Sequence, residues 1–140
     1  MKFRTFTLLI ATLSFTLNAV AIGIGVPEIP NPSLPDIAMV TVNGMGSPII
    51  IYNPILCQNA GPALCEFYRW HEYGHIMMGH TLIQNWPQIK ELEADCWAAK
   101  NAPRYALDAA YQWFIAGGGA SPTHGFGPQR AYRIAYCAGF

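Results

Sequence analysis

The amino-acid sequence predicts an α+β fold that is mainly helical, with a single domain over residues 37–140. Two β-rich runs come first, separated by a glycine-containing turn, and the apolar spacing then changes to steps of three and four residues. With 52% hydrophobic and only 11% charged residues in 140, the chain has the composition of one compact folded body rather than of a disordered segment.

Residues 1–21 have the composition of a secretory signal peptide. Basic residues are followed by an apolar run and then by small residues at Ala19–Ala21, where a signal peptidase would cleave. An uncleaved membrane anchor is the alternative, because apolar residues continue past this point, but threonine, serine and asparagine residues interrupt the run. We therefore expect cleavage, a secreted or periplasmic location and no stable membrane insertion.

A proline-rich segment and a β-hairpin are expected next. Residues 22–36 carry four prolines within nine positions and predict an extended spacer. The runs at residues 37–43 and 47–54 predict the two strands of a hairpin. The second strand could present its edge to an extended peptide substrate, or it could equally be a buried edge of a sheet.

Four helices are predicted after the hairpin. The first runs from Ala63 to Met78 and carries apolar side chains at three- and four-residue steps. The others are predicted over residues 87–101, 103–116 and 129–139, with prolines near the start of the first two and glycines after the ends of the last two.

The cysteine count predicts two disulfides. All four cysteines lie beyond the predicted signal peptide, and an even number in an oxidising compartment favours disulfides over free thiols. Of the three possible pairings, we expect Cys57–Cys65, which closes a short loop, and Cys96–Cys137, which joins the last helix to the middle of the domain. Zinc ligation by cysteine is the alternative, but the chain has no C-x-x-C spacing.

The charge balance argues against a nucleic-acid partner. Removal of the signal peptide would leave six basic and eight acidic residues, a formal net charge of −2, with no cluster of lysine and arginine. A protein or peptide substrate remains compatible with this surface.

The motif HEYGH at residues 71–75 predicts a metal site. His71 and His75 are four residues apart, so on a helix both rings project from one face and can share one ion. Glu72 is offset by one position, so its carboxylate can reach a water near the ion rather than the ion itself. This pattern is typical of zinc hydrolases, in which the glutamate acts as the general base.

A catalytic zinc ion needs a third protein ligand, and the helix at residues 87–101 offers one. Glu91 and Asp95 share a face of this helix, whereas Glu93 points about 200° away from Glu91. We expect Glu91 to complete the metal site and Asp95 to accept a hydrogen bond from the outward nitrogen of a ligand histidine. A solvated acidic helix face is the alternative.

His80 is the nearest other candidate ligand, but its position does not suit the site. It lies five residues after His75 and nine after His71, so on a continuous helix it would point about half a turn away from both. We expect it to be a helix-end or loop-facing residue.

The motifs together resemble those of the gluzincin metallopeptidases of the CAAX prenyl protease and BepA-like type. HEYGH, then ELEAD at residues 91–95, then a late histidine followed by an arginine match that family from about Ile49 to Ile134. The resemblance implies a zincin-like core, with a small β-hairpin or sheet beside the two ligand-bearing helices. It also implies that His71, His75 and Glu91 bind zinc, and that His124 and Arg130 face the cleft as catalytic residues.

The chain is much smaller than most members of that family and has neither their membrane-spanning bundle nor their helical repeats, so their substrates do not transfer. The expected activity is that of a secreted zinc-dependent metalloendopeptidase, in which Glu72 activates a zinc-bound water. His124 could donate a hydrogen bond to the reacting oxygen, bind zinc and close the site, or be an exposed loop residue.

Two other functions compete with the enzyme. A secreted domain of the same fold could bind zinc and partner peptides without turnover, although Glu72 would then have no purpose. A scaffold stabilised only by disulfides would make the motif pair a coincidence. Metal analysis and chelator-sensitive peptide cleavage distinguish the three possibilities.

Overall fold

The computed structural model describes residues 25–82 and 87–140, and their fold is α+β and mainly helical, as the sequence predicts. The predicted signal peptide lies outside the described residues. In the described residues three strands precede the helices: β1 at Glu28–Pro30, β2 at Ala38–Val42 and β3 at Pro48–Tyr52. The helices are α1 at Pro54–Ala60, α2 at Pro62–Met77, α3 at Pro87–Asn101, α4 at Arg104–Ile115 and α5 at Gly127–Ala138.

The predicted hairpin is confirmed, but its second strand is central rather than at an edge. Strand β3 lies between β1 and β2, pairing parallel with β1 and antiparallel with β2. Both of its edges are therefore occupied, and the expectation that this strand could offer an edge to a peptide is wrong. The two edge strands of the sheet are β1 and β2.

Strand β1 comes from the segment predicted to be a spacer. Its prolines lack backbone donors, but their carbonyl groups still accept hydrogen bonds, and Ile50 donates to the carbonyl of Pro27 over 3.0 Å. Leu34 is also buried against the domain. The described part of this segment is thus built into the fold.

Helix α1 was not predicted from the sequence. Asn53 caps it, because its side-chain oxygen accepts hydrogen bonds from the backbone of Ile55 at 2.9 Å and Leu56 at 3.1 Å. Pro54 occupies the first helical position, where its missing donor costs nothing. The pair Asn53-Pro54 therefore both ends the predicted second strand and begins a helix.

The four predicted helices are confirmed, and α2 and α5 each pack against both α3 and α4. The main core packs aromatic and aliphatic side chains of α2, α4 and α5, with Phe67, Phe114 and Ile134 fully buried. The rings of Phe67 and Phe114 meet edge to face, with centroids 5.9 Å apart.

Helices α2 and α3 approach each other at backbone distance. A Cβ atom added to Gly74 would lie 3.0 Å from both the Cα and the carbonyl oxygen of Ala94, so a glycine at this position lets the two helices meet. Ala94 and Ala98 are completely buried there, as expected for small residues at a close helix contact.

Both predicted disulfides are present. Cys57–Cys65 links α1 to α2, and Cys96–Cys137 links α3 to α5. Their presence indicates an oxidising environment, extracellular or periplasmic. Among the helices of the described residues, none is long and apolar enough to cross a membrane.

Candidate metal centre

The two motif histidines lie on the buried face of α2 and point toward α3. The Nε2 atoms of His71 and His75 are 3.1 Å apart. An oxygen of Glu91 lies 2.9 Å from Nε2 of His71 and 3.4 Å from Nε2 of His75. The close contact of the two helices at Gly74 therefore brings together the three side chains predicted to bind a metal.

His124 reaches the same point from the loop before α5. Its Nε2 lies 2.9 Å from the carboxylate of Glu91, and its side chain is only 22% exposed. A backbone bridge between Ser121 and Gly125 closes the loop. The hydroxyl of Ser121 lies 2.7 Å from Nδ1 of His124 and can donate or accept there, so it can support either neutral tautomer of the ring.

The described residues thus contain a group that could hold a metal ion. Ligand atoms of His71, Glu91 and His124 all lie within 4.8 Å of one another. Nε2 of His75 lies beside this group, at the distances to His71 and Glu91 given above. Two or three imidazoles with one carboxylate form a nitrogen and oxygen donor set that transition metals such as zinc accept.

Glu72 lies beside the metal group in a cleft of about 510 Å³, which is also lined by strand β2, Tyr68, His75, Glu91 and His124. Its carboxylate accepts a hydrogen bond from the backbone N–H of Val40 over 2.8 Å. Val40 belongs to the edge strand β2, so this contact ties Glu72 to that edge of the sheet. The sequence offered no signal for it.

Asp95 supports His71 from behind. Its oxygen lies 2.9 Å from Nδ1 of His71, which leaves Nε2 to face the metal group. Asp95 is fully buried and also accepts hydrogen bonds from Arg130, at 2.7 and 3.0 Å, and from Arg133, at 3.0 Å. Nothing in the sequence points to Arg133, because only the fold places it near this carboxylate.

Arg130 does not face the cleft, contrary to its predicted catalytic role. Its side chain is 1% exposed, and its guanidinium packs 4.1 Å from the ring centroid of Phe114. Besides Asp95, it donates to the carbonyl of Gly119 over 3.1 Å. Arg130 is therefore a structural link between Asp95 and the loop that carries His124, since a buried carboxylate needs a buried cation as its partner.

The buried charges change the pKa values of this group. Burial alone would lower the pKa of His71, but hydrogen bonds to Asp95 and Glu91 raise it to about 9. Burial would raise the pKa of Glu91, but hydrogen bonds from His124, His71 and His75 hold it well below its usual range. The pKa of Asp95 is likewise lowered, against burial, by His71 and Arg130. A divalent cation would compete with the His71 proton for the same carboxylate.

His80 lies just beyond the end of α2, one of the two positions expected for it, but the sequence does not predict its burial or its partners. It begins a short 3-10 helix at His80–Leu82 and is buried rather than loop-facing. Its Nδ1 lies 3.0 Å from Nδ1 of His75, and its Nε2 lies 2.8 Å from the carboxylate of Glu93. Burial lowers the pKa of His80, with Glu93 opposing this effect.

Comparison of the chain with known proteins found no matching family model, no matching curated protein and no matching solved structure. The function is therefore inferred from the side chains and the cleft described above.

Proposed function

We propose that the protein is a secreted zinc-dependent metalloendopeptidase with a zincin-like core of the gluzincin type. The observation that carries this proposal is the position of Glu72 in the cleft next to the convergent side chains of His71, His75 and Glu91. A site that only binds a metal has no need of an additional carboxylate at this point, whereas hydrolysis needs a base there.

The donor set fits zinc. His71, His75 and Glu91 would hold the ion, as two imidazoles and a carboxylate do in catalytic zinc sites that keep one position open. Bound zinc would supply Lewis acidity, which polarises a peptide carbonyl and lowers the pKa of water toward neutrality. Asp95 fixes the orientation of the His71 ring through Nδ1.

The protein's own residues would then move the proton and stabilise the developing charge. Glu72 accepts a proton from the attacking water and returns it to the leaving amine. The oxygen that becomes negative needs a hydrogen-bond donor, and Tyr68 and His124 both line the cleft. Burial raises the pKa of Tyr68, so its hydroxyl keeps its proton and remains a donor.

The substrate would bind along β2. Alternate residues of an edge strand direct their backbone groups to the same side, and Val40 directs its N–H toward Glu72. The backbone groups of Ala38 and Val42 therefore face the cleft as well. An extended peptide could pair with these groups and place a peptide bond beside Glu72, so the β-strand addition expected for β3 is reassigned to β2.

The test compares peptide cleavage by the wild type and two isosteric variants on the same helix. A proteome-derived peptide library digested by the wild type should give products that are absent with Glu72→Gln and with chelator. Glu66→Gln, six residues earlier on α2, should cleave like the wild type. Identical product lists from the wild type and Glu72→Gln would refute the assignment of Glu72 and the protease function with it.

A second candidate is a domain of the same fold that binds zinc and peptides without turnover. The position of His124 favours it, because His124 adds a fourth candidate ligand to His71, His75 and Glu91, and structural zinc sites use four protein ligands. Zinc bound with a peptide but no cleavage, in the wild type and in His124→Ala alike, would support this candidate over the enzyme.

A further inference from the structure

We propose that His80 and Glu93 form a hydrogen-bonded relay that positions His75 as a metal ligand. His80 is a positioning residue in this proposal and does not contact the metal itself. The inference rests on the metal-binding part of the proposed function and does not require peptide hydrolysis.

The turn after α2 brings His80 back to His75. Helix α2 ends at Met77, and Gly79 adopts a left-handed backbone conformation, with φ of 73°, that a glycine accommodates readily. This turn places the imidazole of His80 against Nδ1 of His75, on the side of the ring opposite Nε2. Lys90 donates to the carbonyl of His80 over 3.3 Å and holds the turn against α3.

The hydrogen-bond chemistry allows one proton arrangement when His75 binds a metal. Nε2 of His75 faces His71 and Glu91, so this atom must offer its lone pair to the ion, and the ring proton must be on Nδ1. Nδ1 of His80 then accepts this proton's hydrogen bond, and His80 carries its own proton on Nε2. That Nε2–H points at the carboxylate of Glu93, 2.8 Å away.

Because His80 is buried, its hydrogen bond should orient His75 more strongly than a hydrogen bond to solvent water would. His80 is 8% exposed, so its bond to His75 is shielded from competing water, whereas the Glu93 side chain at the outer end is 47% exposed. Hydrogen-bond partners behind metal ligands typically change metal affinity by about 10- to 100-fold. We expect most of this effect from His80 and a smaller part from Glu93.

The experiment compares two substitutions of similar size, one with a hydrogen-bonding amide and one without any polar group. In His80→Asn the side-chain oxygen can take the place of Nδ1 and accept from His75, whereas His80→Leu has the same size and no acceptor. Zinc affinity, measured by chelator competition, should fall about 10- to 100-fold in His80→Leu and much less in His80→Asn. Glu93→Ala should lower it by a few-fold, and Glu66→Ala on α2 serves as the control.

A second readout detects the tautomer directly. Long-range ¹H–¹⁵N correlation spectra of the zinc-loaded wild type should show His75 protonated on Nδ1 and His80 on Nε2. Wild-type zinc affinity in both His80→Leu and Glu93→Ala would overturn the proposal, as would a His75 ring protonated on Nε2. Because Glu93 is half exposed, Glu93→Ala should fold even if His80→Leu does not.

The outcomes separate this proposal from the proposed function. A wild type that binds no zinc would refute the metal site and the relay together. Zinc binding that depends on neither His80 nor Glu93 would refute only the relay. Zinc binding that depends on His80 in a protein that cleaves no peptide would support the relay and refute only the protease.

Discussion

His71 and His75 lie on the same helix, α2, but the side chains behind them differ in burial and charge. Behind His71 stands Asp95, fully buried and bound to Arg130 and Arg133, with the Cys96–Cys137 disulfide joining the same two helices. Behind His75 stands His80, which leads outward to the half-exposed Glu93. The support of His71 belongs to the folding core, whereas Glu93, the outer residue that supports His75, can be changed without disturbing the core.

The difference follows from the cost of burying charge. A carboxylate as deeply buried as Asp95 must be matched by cations and hydrogen bonds, and Arg130 meets this need from a position against the rings of Tyr68 and Phe114. The Asp95–Arg130 pair behind His71 therefore cannot be broken without leaving a buried charge unpaired. Glu93 keeps contact with water, so its pairing with His80 places no such demand on the fold.

The largest effect is expected from Asp95→Ala. This change leaves Arg130 charged and buried without its main partner, and breaking such a pair costs about 3–5 kcal/mol of unfolding free energy. Urea unfolding followed by circular dichroism measures the loss. Asp108→Ala, which removes an exposed carboxylate paired with Arg104, should change the unfolding free energy by about 0.5 kcal/mol or less.

A double variant separates the folding role of this pair from its role at the metal. Asp95→Leu with Arg130→Met replaces both charges by apolar side chains, which is often neutral or stabilising for buried pairs. We expect the double variant to remain folded while its zinc affinity falls, because His71 has lost the acceptor for Nδ1. Unchanged zinc affinity in this variant would show that His71 needs no support from Asp95.

Removal of the disulfides should rank next. Cys96→Ser with Cys137→Ser opens a loop spanning 41 residues, and Cys57→Ser with Cys65→Ser opens one spanning eight. Loop entropy alone predicts losses of about 4 and 2.5 kcal/mol respectively. Thermal or urea unfolding of the two double variants tests this order. A larger loss of unfolding free energy in the Cys57–Cys65 variant would contradict this order. It would show that the link between α3 and α5 contributes less to stability than loop entropy predicts.

The contact between α2 and α3 serves both histidines equally, and Gly74→Ala tests it. The added methyl group would meet the backbone of Ala94, which cannot move aside as a flexible side chain would. We expect a loss of about 1–3 kcal/mol and weaker zinc binding, since Glu91 moves with α3. Gly44→Ala is the matched control, because nothing lies within 4 Å of a Cβ atom there.

Asp95, which supports His71, could be placed from the sequence, whereas His80, which supports His75, could not. Regular helical spacing was enough to place His71, His75, Glu91 and Asp95 on facing surfaces, because each of these residues lies inside a long helix. His80 could not be placed in this way. Its angle was projected along a continuous helix, but α2 ends at Met77 and the chain then turns back.

The burial of Arg130 and the pairing of strand β1 also depend on residues far apart in the chain, so the sequence does not predict them. Arg130 was expected in the cleft because a family motif, rather than its surroundings, suggested its role. Its burial depends on Asp95, 35 residues earlier, and on the aromatic side chains of other helices. Strand β1 was missed because prolines usually argue against strands, although they are tolerated where the strand lies at the edge of a sheet.

The smallest stability effect is expected from Glu93→Ala. Because its side chain is 47% exposed, loss of the bond to His80 should cost about 0.5 kcal/mol or less in urea unfolding. The same variant should still weaken zinc binding by a few-fold, as the relay requires. Asp95→Ala would lower stability and affinity together, whereas Glu93→Ala should lower affinity almost alone. A stability loss of several kcal/mol in Glu93→Ala would mean that the His75 side is also part of the folding core, and that the two supports do not differ.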